Sequence, residues 1–149
     1  MKETDMSELD DFLASALARE IKAEEALHKG DPEPRLQMWS TNDPVTVFGA
    51  LGINKVGTAE VTPAFRWLAT QFSSNADWSF ELVAAGVSGD LAYTVGFERH
   101  TTSLSGGPVE PHVLRVTQVY RRENGEWKIV HRHGDATIDQ GPPAEASTK

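Results

Sequence analysis

The sequence contains no cysteine, so it offers no disulfide framework, thiolate metal site or cysteine nucleophile. It also lacks an excess of positive charge. Against 22 Asp and Glu stand 14 Lys and Arg, for a formal charge of −8, whereas phosphate backbones are bound through clustered Lys and Arg. Nucleic acid is therefore an unfavourable partner. No apolar run approaches the length of about eighteen residues that marks a membrane span. Residues 1–30 hold many acids and no continuous apolar segment, which is unlike a signal peptide. These absences predict a soluble chain without a membrane partner, and the missing cysteines fit a reducing, cytoplasmic setting. With 149 residues it has the length of one domain, enough to bury a core without covalent staples.

What the chain does have is a long β-hairpin signal from Val109 to Asp135. Two alternating, β-branched runs meet at Glu123-Asn124-Gly125-Glu126, where Asn-Gly supplies the positive φ values of a two-residue turn. Such a ribbon needs cover on at least one face, and the segments before it supply that cover. A first helix is predicted from Ser7. Ser7 and Asp10 resemble a capping box, and Leu9, Phe12, Leu13, Ala16, Leu17, Ile21 and Leu27 fall at helical spacing. Asp11, Arg19, Lys22 and Glu25 form its solvated side, and Gly30 suits the left-handed cap. Asp31-Pro32 opens a short second helix reaching about Trp39. A turn over Thr41 to Pro44 leads to a strand, Val45 to Phe48, and a glycine-punctuated arm, Gly49 to Gly57. Thr58 is expected to cap a third helix with Val61, Phe65, Leu68 and Phe72 along one face and Pro63 near its first turns. Strands follow. Trp78, Phe80, Leu82 and Ala84 alternate with polar or small residues, and Leu91, Tyr93, Val95 and Phe97 alternate with Ala92, Thr94, Gly96 and Glu98 across a turn at Ser88-Gly89-Asp90. Ser103 to Pro108 reads as a polar loop. Residues 1–139 form one domain, and 140–149 have nothing to pack and are expected to be a disordered tail.

Helices first and antiparallel strands after define an α+β fold with helices on one face of a sheet. The chain resembles the nuclear transport factor 2-like superfamily, in its SnoaL-like and ketosteroid isomerase-like branch. The resemblance rests on Lys29-Gly30-Asp31, Val45 to Gly49, Gly57 and the stretch from Tyr120 to His133, and it spans roughly Ser7 to Asp135. It implies a cone-shaped, cystatin-like fold in which three helices pack on a curved antiparallel sheet around a pocket. The chain is similar also to the association domain of calcium/calmodulin-dependent protein kinase, which uses this fold to oligomerise. Fold does not fix function here, since the superfold hosts many chemistries and none. The isomerases' tyrosine carries over near Ala23, their base onto Thr46 to Phe48 and their protonated carboxyl onto Gln118. None of these residue types is kept. The association domain's anion-binding arginines fall near Val95, Gln118 and Gly134, and are not kept either.

Parity assigns the candidate site. With Gln118 pointing inward, His112, Leu114, Val116 and Tyr120 share its face, opposite Arg115, Thr117 and Arg121. The analogous register turns Val130 and Arg132 inward on the last strand, whereas periodicity prefers Trp127 and Ile129. A sheet buried on both faces, by helices and by a second subunit, reconciles the two. Candidate catalytic residues are Asp43, Gln118, Arg132, His131 and His133. The two histidines share a strand face and could act as base and orienter or as two metal ligands, but no third ligand accompanies them, and packed histidines are the commoner outcome. No metal and no cofactor are expected. Asp43 and Asp135 are candidate bases, although Asp43 before Pro44 suits a turn better and Asp135 suits a strand exit. Trp39, Tyr93, Phe97, His112 and Val116 are expected to line an apolar pocket. Arg121-Arg122 guards the hairpin edge. The resulting expectation is a hydrophobic small-molecule ligand and acid–base isomerase, cyclase or hydratase chemistry. In it Asp43 or a histidine is the base, Gln118 orients a substrate oxygen, Arg132 polarises it, and a homodimer forms through the convex sheet face. The alternative is a non-catalytic ligand-binding or oligomerisation module.

Overall fold

Helical spacing of apolar residues produces α1, Lys2–His28, in the computed structural model, which describes residues 2–136. The expected tail lies outside the described residues. α1 starts upstream of Ser7, so Ser7 is inside the helix rather than its cap. Its end is as expected. Gly30 has φ +93°, and the amides of Gly30 and Asp31 donate to the carbonyls of Leu27 and Ala26 at 3.0 and 2.8 Å, which satisfies the last turn. α2, Glu33–Met38, follows Pro32, and its first amide donates to Asp31 Oδ1 at 3.0 Å. β1, Thr46–Gly49, and β2, Ile53–Val56, form the small arm through a short 3-10 turn at Ala50–Gly52.

α3 spans Thr58–Leu68 and runs through Pro63. Thr58 is its first residue rather than its cap, and the side chain that meets its leading amide is Asp43, whose Oδ1 accepts from Thr58 N at 2.9 Å. Phe72, expected on this helix, instead opens β3, Phe72–Ser88. β4, Leu91–Leu104, β5, Val109–Glu123, and β6, Glu126–Ala136, complete a six-stranded sheet of order β2-β1-β6-β5-β4-β3. Asn124 and Gly125 carry the positive φ of the expected turn, 52° and 78°. The sheet curls around α1. At Gly96 a Cβ would lie 2.2 Å from the Glu81 carbonyl oxygen, so β3 can approach β4 that closely only over a glycine. Among the described residues no helix is long and apolar enough to cross a membrane.

The two conflicting readings of the last strand both hold, on either side of a bulge. Val119 pairs with His131, but Tyr120 pairs with Ile129, leaving Val130 as the extra residue. Before the bulge Trp127 and Ile129 are buried; after it Arg132 and Gly134 are buried, and His131 and His133 turn to the outer face. One inserted residue therefore does what a second covered face was expected to do. β4 is reversed relative to the apolar reading. Its inward residues are Ala92, Thr94, Gly96, Glu98, His100 and Thr102, while Tyr93 and Phe97 face outward. Cross-strand pairing requires this, because Thr94 lies opposite the inward Gln118.

The apolar core occupies one end of the cone. Phe12 packs edge-on against Tyr120 and Trp127, with ring centroids 4.9 and 5.2 Å apart, and Trp39 packs on Phe65 at 5.2 Å. Toward the other end the interior turns polar.

Candidate functional site

α1 carries the change from apolar to polar along one face. Phe12, Ala16, Glu20, Glu24 and His28 follow one another in steps of four and are all buried, as residues on one helix face must be when that face is covered. α2 adds Arg35, β4 adds Glu98 and His100, β5 adds His112 and Gln118, and β6 adds Arg132.

Gln118 is the hub, fully buried. Its Oε1 accepts from Arg132 Nη1 at 2.8 Å and Arg35 Nη1 at 3.3 Å. Its Nε2 donates to Glu20 Oε1 at 3.1 Å and to the Tyr120 hydroxyl at 2.8 Å. A primary amide has two acceptor sites and two donors, so Gln118 is saturated. It positions the two arginines and has no hydrogen-bonding capacity left for a substrate oxygen. Arg132 grips Glu98 through a fork, Nη1 to Oε2 at 2.8 Å and Nη2 to Oε1 at 2.9 Å. Arg35 pairs with Glu24.

The two acids next to Gln118 and Arg132 are pushed apart in acidity. Burial, then the negative charge of Glu98, raises the Glu20 carboxyl to about 7 against the opposing pull of Arg35 and Arg132. Burial would raise Glu98 as well, but the Arg132 charge and hydrogen bonds hold it down at about 2. The contact between the two acids is a carboxyl–carboxylate hydrogen bond only while Glu20 keeps its proton. Arg35 is lowered to about 10 by burial and by Arg132, and stays a cation at neutral pH.

Over this floor lies a cavity of about 200 Å³. Glu24, Arg35, Glu98 and Arg132 face it from below, and Leu27, Ile53, Phe65, Leu68, Phe72 and Leu114 supply apolar walls. A row of three histidines crosses it. His28 lies 4.8 Å from His100, and His100 stacks on His112 at 5.6 Å. His28 Nδ1 is 2.7 Å from the Glu24 carbonyl oxygen and must carry its hydrogen there. His112 Nε2 is 3.3 Å from the Thr102 carbonyl oxygen and does the same. His100 is 6% exposed, and neither of its ring nitrogens has a partner among the described residues. Burial lowers His28 and His100 to about 4, so both rings are neutral at neutral pH.

Of the residues singled out in the sequence, Arg132 and His112 line this cavity, and Gln118 lies among the polar groups of its floor. Val116 is buried between Gly96 and Gly134 in the sheet without lining the cavity, and Trp39 belongs to the core. Tyr93, Phe97, His131 and His133 are on the outer face. There His131 Nδ1 meets Thr46 Oγ1 at 2.7 Å, and Phe48 packs edge-on against both histidines at 5.6 and 5.8 Å. Asp135 is bound by Arg115 at 3.0 Å, and exposed Asp43 caps α3. The structure thus separates Asp43, His131 and His133 from Gln118 and Arg132.

Sequence reasoning missed Glu20, Glu24, His28, Arg35, Glu98 and His100. Two signals were present: acids continuing the apolar i, i+4 row of α1, and Glu98 sharing the parity of Thr94 and Gln118. Among the described residues no three His, Asp or Glu side chains converge as a metal site would require.

A curled sheet closed by helices over a cavity that is apolar in its walls and polar in its floor defines a nuclear transport factor 2-like protein of cystatin-like fold. A protein proposed to be a dehydratase of that family from Streptomyces avermitilis is similar over 87% of this chain and 98% of its own, at 20% identity and a TM-score of 0.73. A protein of unknown function with a cystatin-like fold from Nostoc punctiforme matches over 85% and 91%, at 16% identity and 0.65. A proposed calcium/calmodulin-dependent protein kinase II association domain from Xanthomonas campestris matches over 85% and 88%, at 17% identity and 0.63. At such identities the likeness is one of fold alone. The family model of the SnoaL-like domain matches residues 22–139, and the chain belongs to that family. No curated protein matches it in sequence.

Proposed function

We propose that the cavity binds a small hydrophobic molecule bearing an oxygen function and converts it by cofactor-independent acid–base chemistry, as an isomerase, cyclase or lyase. The observation that carries this reading is His100, a neutral imidazole whose two nitrogens have no partner among the described residues, in an apolar-walled cavity. A neutral ring can take a proton from carbon next to a carbonyl. The nearby Glu98 charge favours the imidazolium that forms, and Arg132 at the floor faces the oxygen on which negative charge develops. Returning the proton to a different carbon gives isomerisation. Alternatively, the adjacent C–O bond breaks and the departing hydroxyl takes that proton from the His100 imidazolium, so that one water is lost and the ring returns to its neutral form. This dehydration agrees with the activity proposed for the Streptomyces relative. Asp43, His131 and His133, the bases expected from the sequence, give way here to His100.

The test is exchange. Incubated in D2O with a panel of hydrophobic hydroxyketones, the protein is expected to introduce deuterium beside the carbonyl of those that bind, and His100→Phe to slow this by about a hundredfold or more. Exchange at the wild-type rate in a folded His100→Phe variant would contradict the assignment.

The outer sheet face supports a second element of the proposal, a homodimer. Phe48, Val83 and Tyr93 are 40%, 58% and 44% exposed there, and large apolar side chains gathered on one exposed sheet face favour association. The fold likeness to an association domain favours the same reading. Light scattering is expected to give twice the chain mass, and Tyr93→Glu to reduce it to one. A wild-type monomer at working concentration would remove the dimer.

A further inference from the structure

The buried polar cluster that forms and underlies the floor of the cavity holds more carboxyl groups than guanidinium groups, and this limits what can enter. We propose that the site selects an uncharged hydrophobic ligand that presents a hydrogen-bond donor, a hydroxyl compound, and rejects carboxylates and other anions of the same shape. This inference deepens the pocket reading above and rests on it.

Three acids, Glu20, Glu24 and Glu98, are buried against two arginines, Arg35 and Arg132. The cluster is neutral when one acid keeps its proton, and the Glu20–Glu98 contact is the place for it, since two ionised carboxylates cannot share a hydrogen bond. Burial raises Glu20 far enough to keep the proton near neutral pH. An anionic ligand would add an unbalanced charge to a site shielded from water, where uncompensated charge is heavily penalised.

The hydrogen-bond inventory points the same way. The Nη groups of both guanidinium ions are already engaged, those of Arg132 with Glu98 and Gln118 and those of Arg35 with Glu24 and Gln118, so neither offers its Nη pair to fork a carboxylate. Arg35 Nε has no partner among the described residues, but one N–H cannot hold two carboxylate oxygens. Acceptors, by contrast, face the cavity. Besides the carboxylates, His112 holds its hydrogen toward the Thr102 carbonyl oxygen, which leaves its Nδ1 an acceptor. Neutral His100 adds one more. A ligand O–H meets this surface, whereas a carboxylate, an acceptor only, does not.

Matched pairs provide the test: 2-naphthol and 2-naphthoate, para-cresol and para-toluate, cyclohexylmethanol and cyclohexanecarboxylate. Each is titrated into the full chain at pH 7 by calorimetry, with the histidine ring signals followed by NMR. The hydroxyl member of at least one pair is expected to bind about a hundredfold more tightly than its carboxylate and to shift His100 and His112. Glu24→Gln removes one acid and leaves room for a negative charge, so it should tighten carboxylate binding by about tenfold or more. Carboxylates that bind the wild type as tightly as their partners overturn the selectivity alone and leave the pocket reading standing. Failure of all six compounds, or shifts confined to His131 and His133, overturns both.

Discussion

Arg132→Ala is expected to destabilise the protein by about 3–5 kcal/mol, a large fraction of the stability of an ordinary domain. The loss comes less from the missing bond than from what stays behind. Glu98 is 1% exposed and its two oxygens are held by the Arg132 fork. Without the guanidinium, a carboxylate or a forcibly protonated acid is left beside Glu20 with its main partner gone. Gln118 also loses the shorter of its two arginine contacts. The cost should therefore be largely recovered when the charge is removed from both sides, as in Arg132→Met combined with Glu98→Gln. Urea unfolding of the two single variants and the double variant measures the coupling. A single Arg132→Ala variant that loses less than about 1 kcal/mol would show that the pair is far more hydrated than its burial implies.

The second large effect is a gain. Glu20→Gln is expected to be more stable than the wild type at alkaline pH, by about 2–3 kcal/mol more than any difference near pH 4.5. The folded carboxyl is raised from the ordinary 4.5 to about 7. Between those values the folded chain holds a proton that the unfolded chain has released. The contribution of Glu20 to stability is therefore at its most favourable below pH 4.5 and is lost as pH rises through 7. Glutamine keeps the shape and can donate to Glu98, but it has no proton to lose. His28 and His100, lowered to about 4 from 6.5, act in the opposite sense. They bind fewer protons folded than unfolded, so stability falls as pH drops from 6.5 toward 4. Because they are common to both proteins, they cancel in the difference. Unfolding free energies of variant and wild type that run parallel from pH 5 to 9 would contradict the assignment of the retained proton to Glu20.

The sequence made the hairpin plain, because Asn124-Gly125 between two β-branched runs admits little else. The Gly30 helix end and the order of three helices before a run of antiparallel strands were equally legible, since they depend on local chemistry, whereas the curl of the sheet was implied only by the family resemblance. The last strand was not. Its two halves obey opposite parities, and a single extra residue at Val130 has no signature in composition. The interior was misread for a different reason. Apolar residues were assigned inward on β4, which placed Tyr93 and Phe97 in the pocket, whereas this cone is polar inside and the apolar side of β4 faces out. The same assumption hid Glu20 and Glu24. Acids on a buried helix face are improbable one by one, and become stable only when Arg35, Gln118 and Arg132 arrive from distant segments. His131 and His133 drew attention as a pair in sequence. The three histidines that meet in space come from α1, β4 and β5, and no spacing announces them.

The central claim is that ligand chemistry belongs to the cavity and its neutral histidines rather than to the outer face. Long-range proton–nitrogen NMR of the imidazole rings at pH 7, recorded with and without 2-naphthol, tests it directly. His28 and His100 are expected to be uncharged in the free protein, with His100 shifting on ligand addition while His131 and His133 stay in place. A protonated His100 at that pH, or a ligand response confined to His131 and His133, would contradict it.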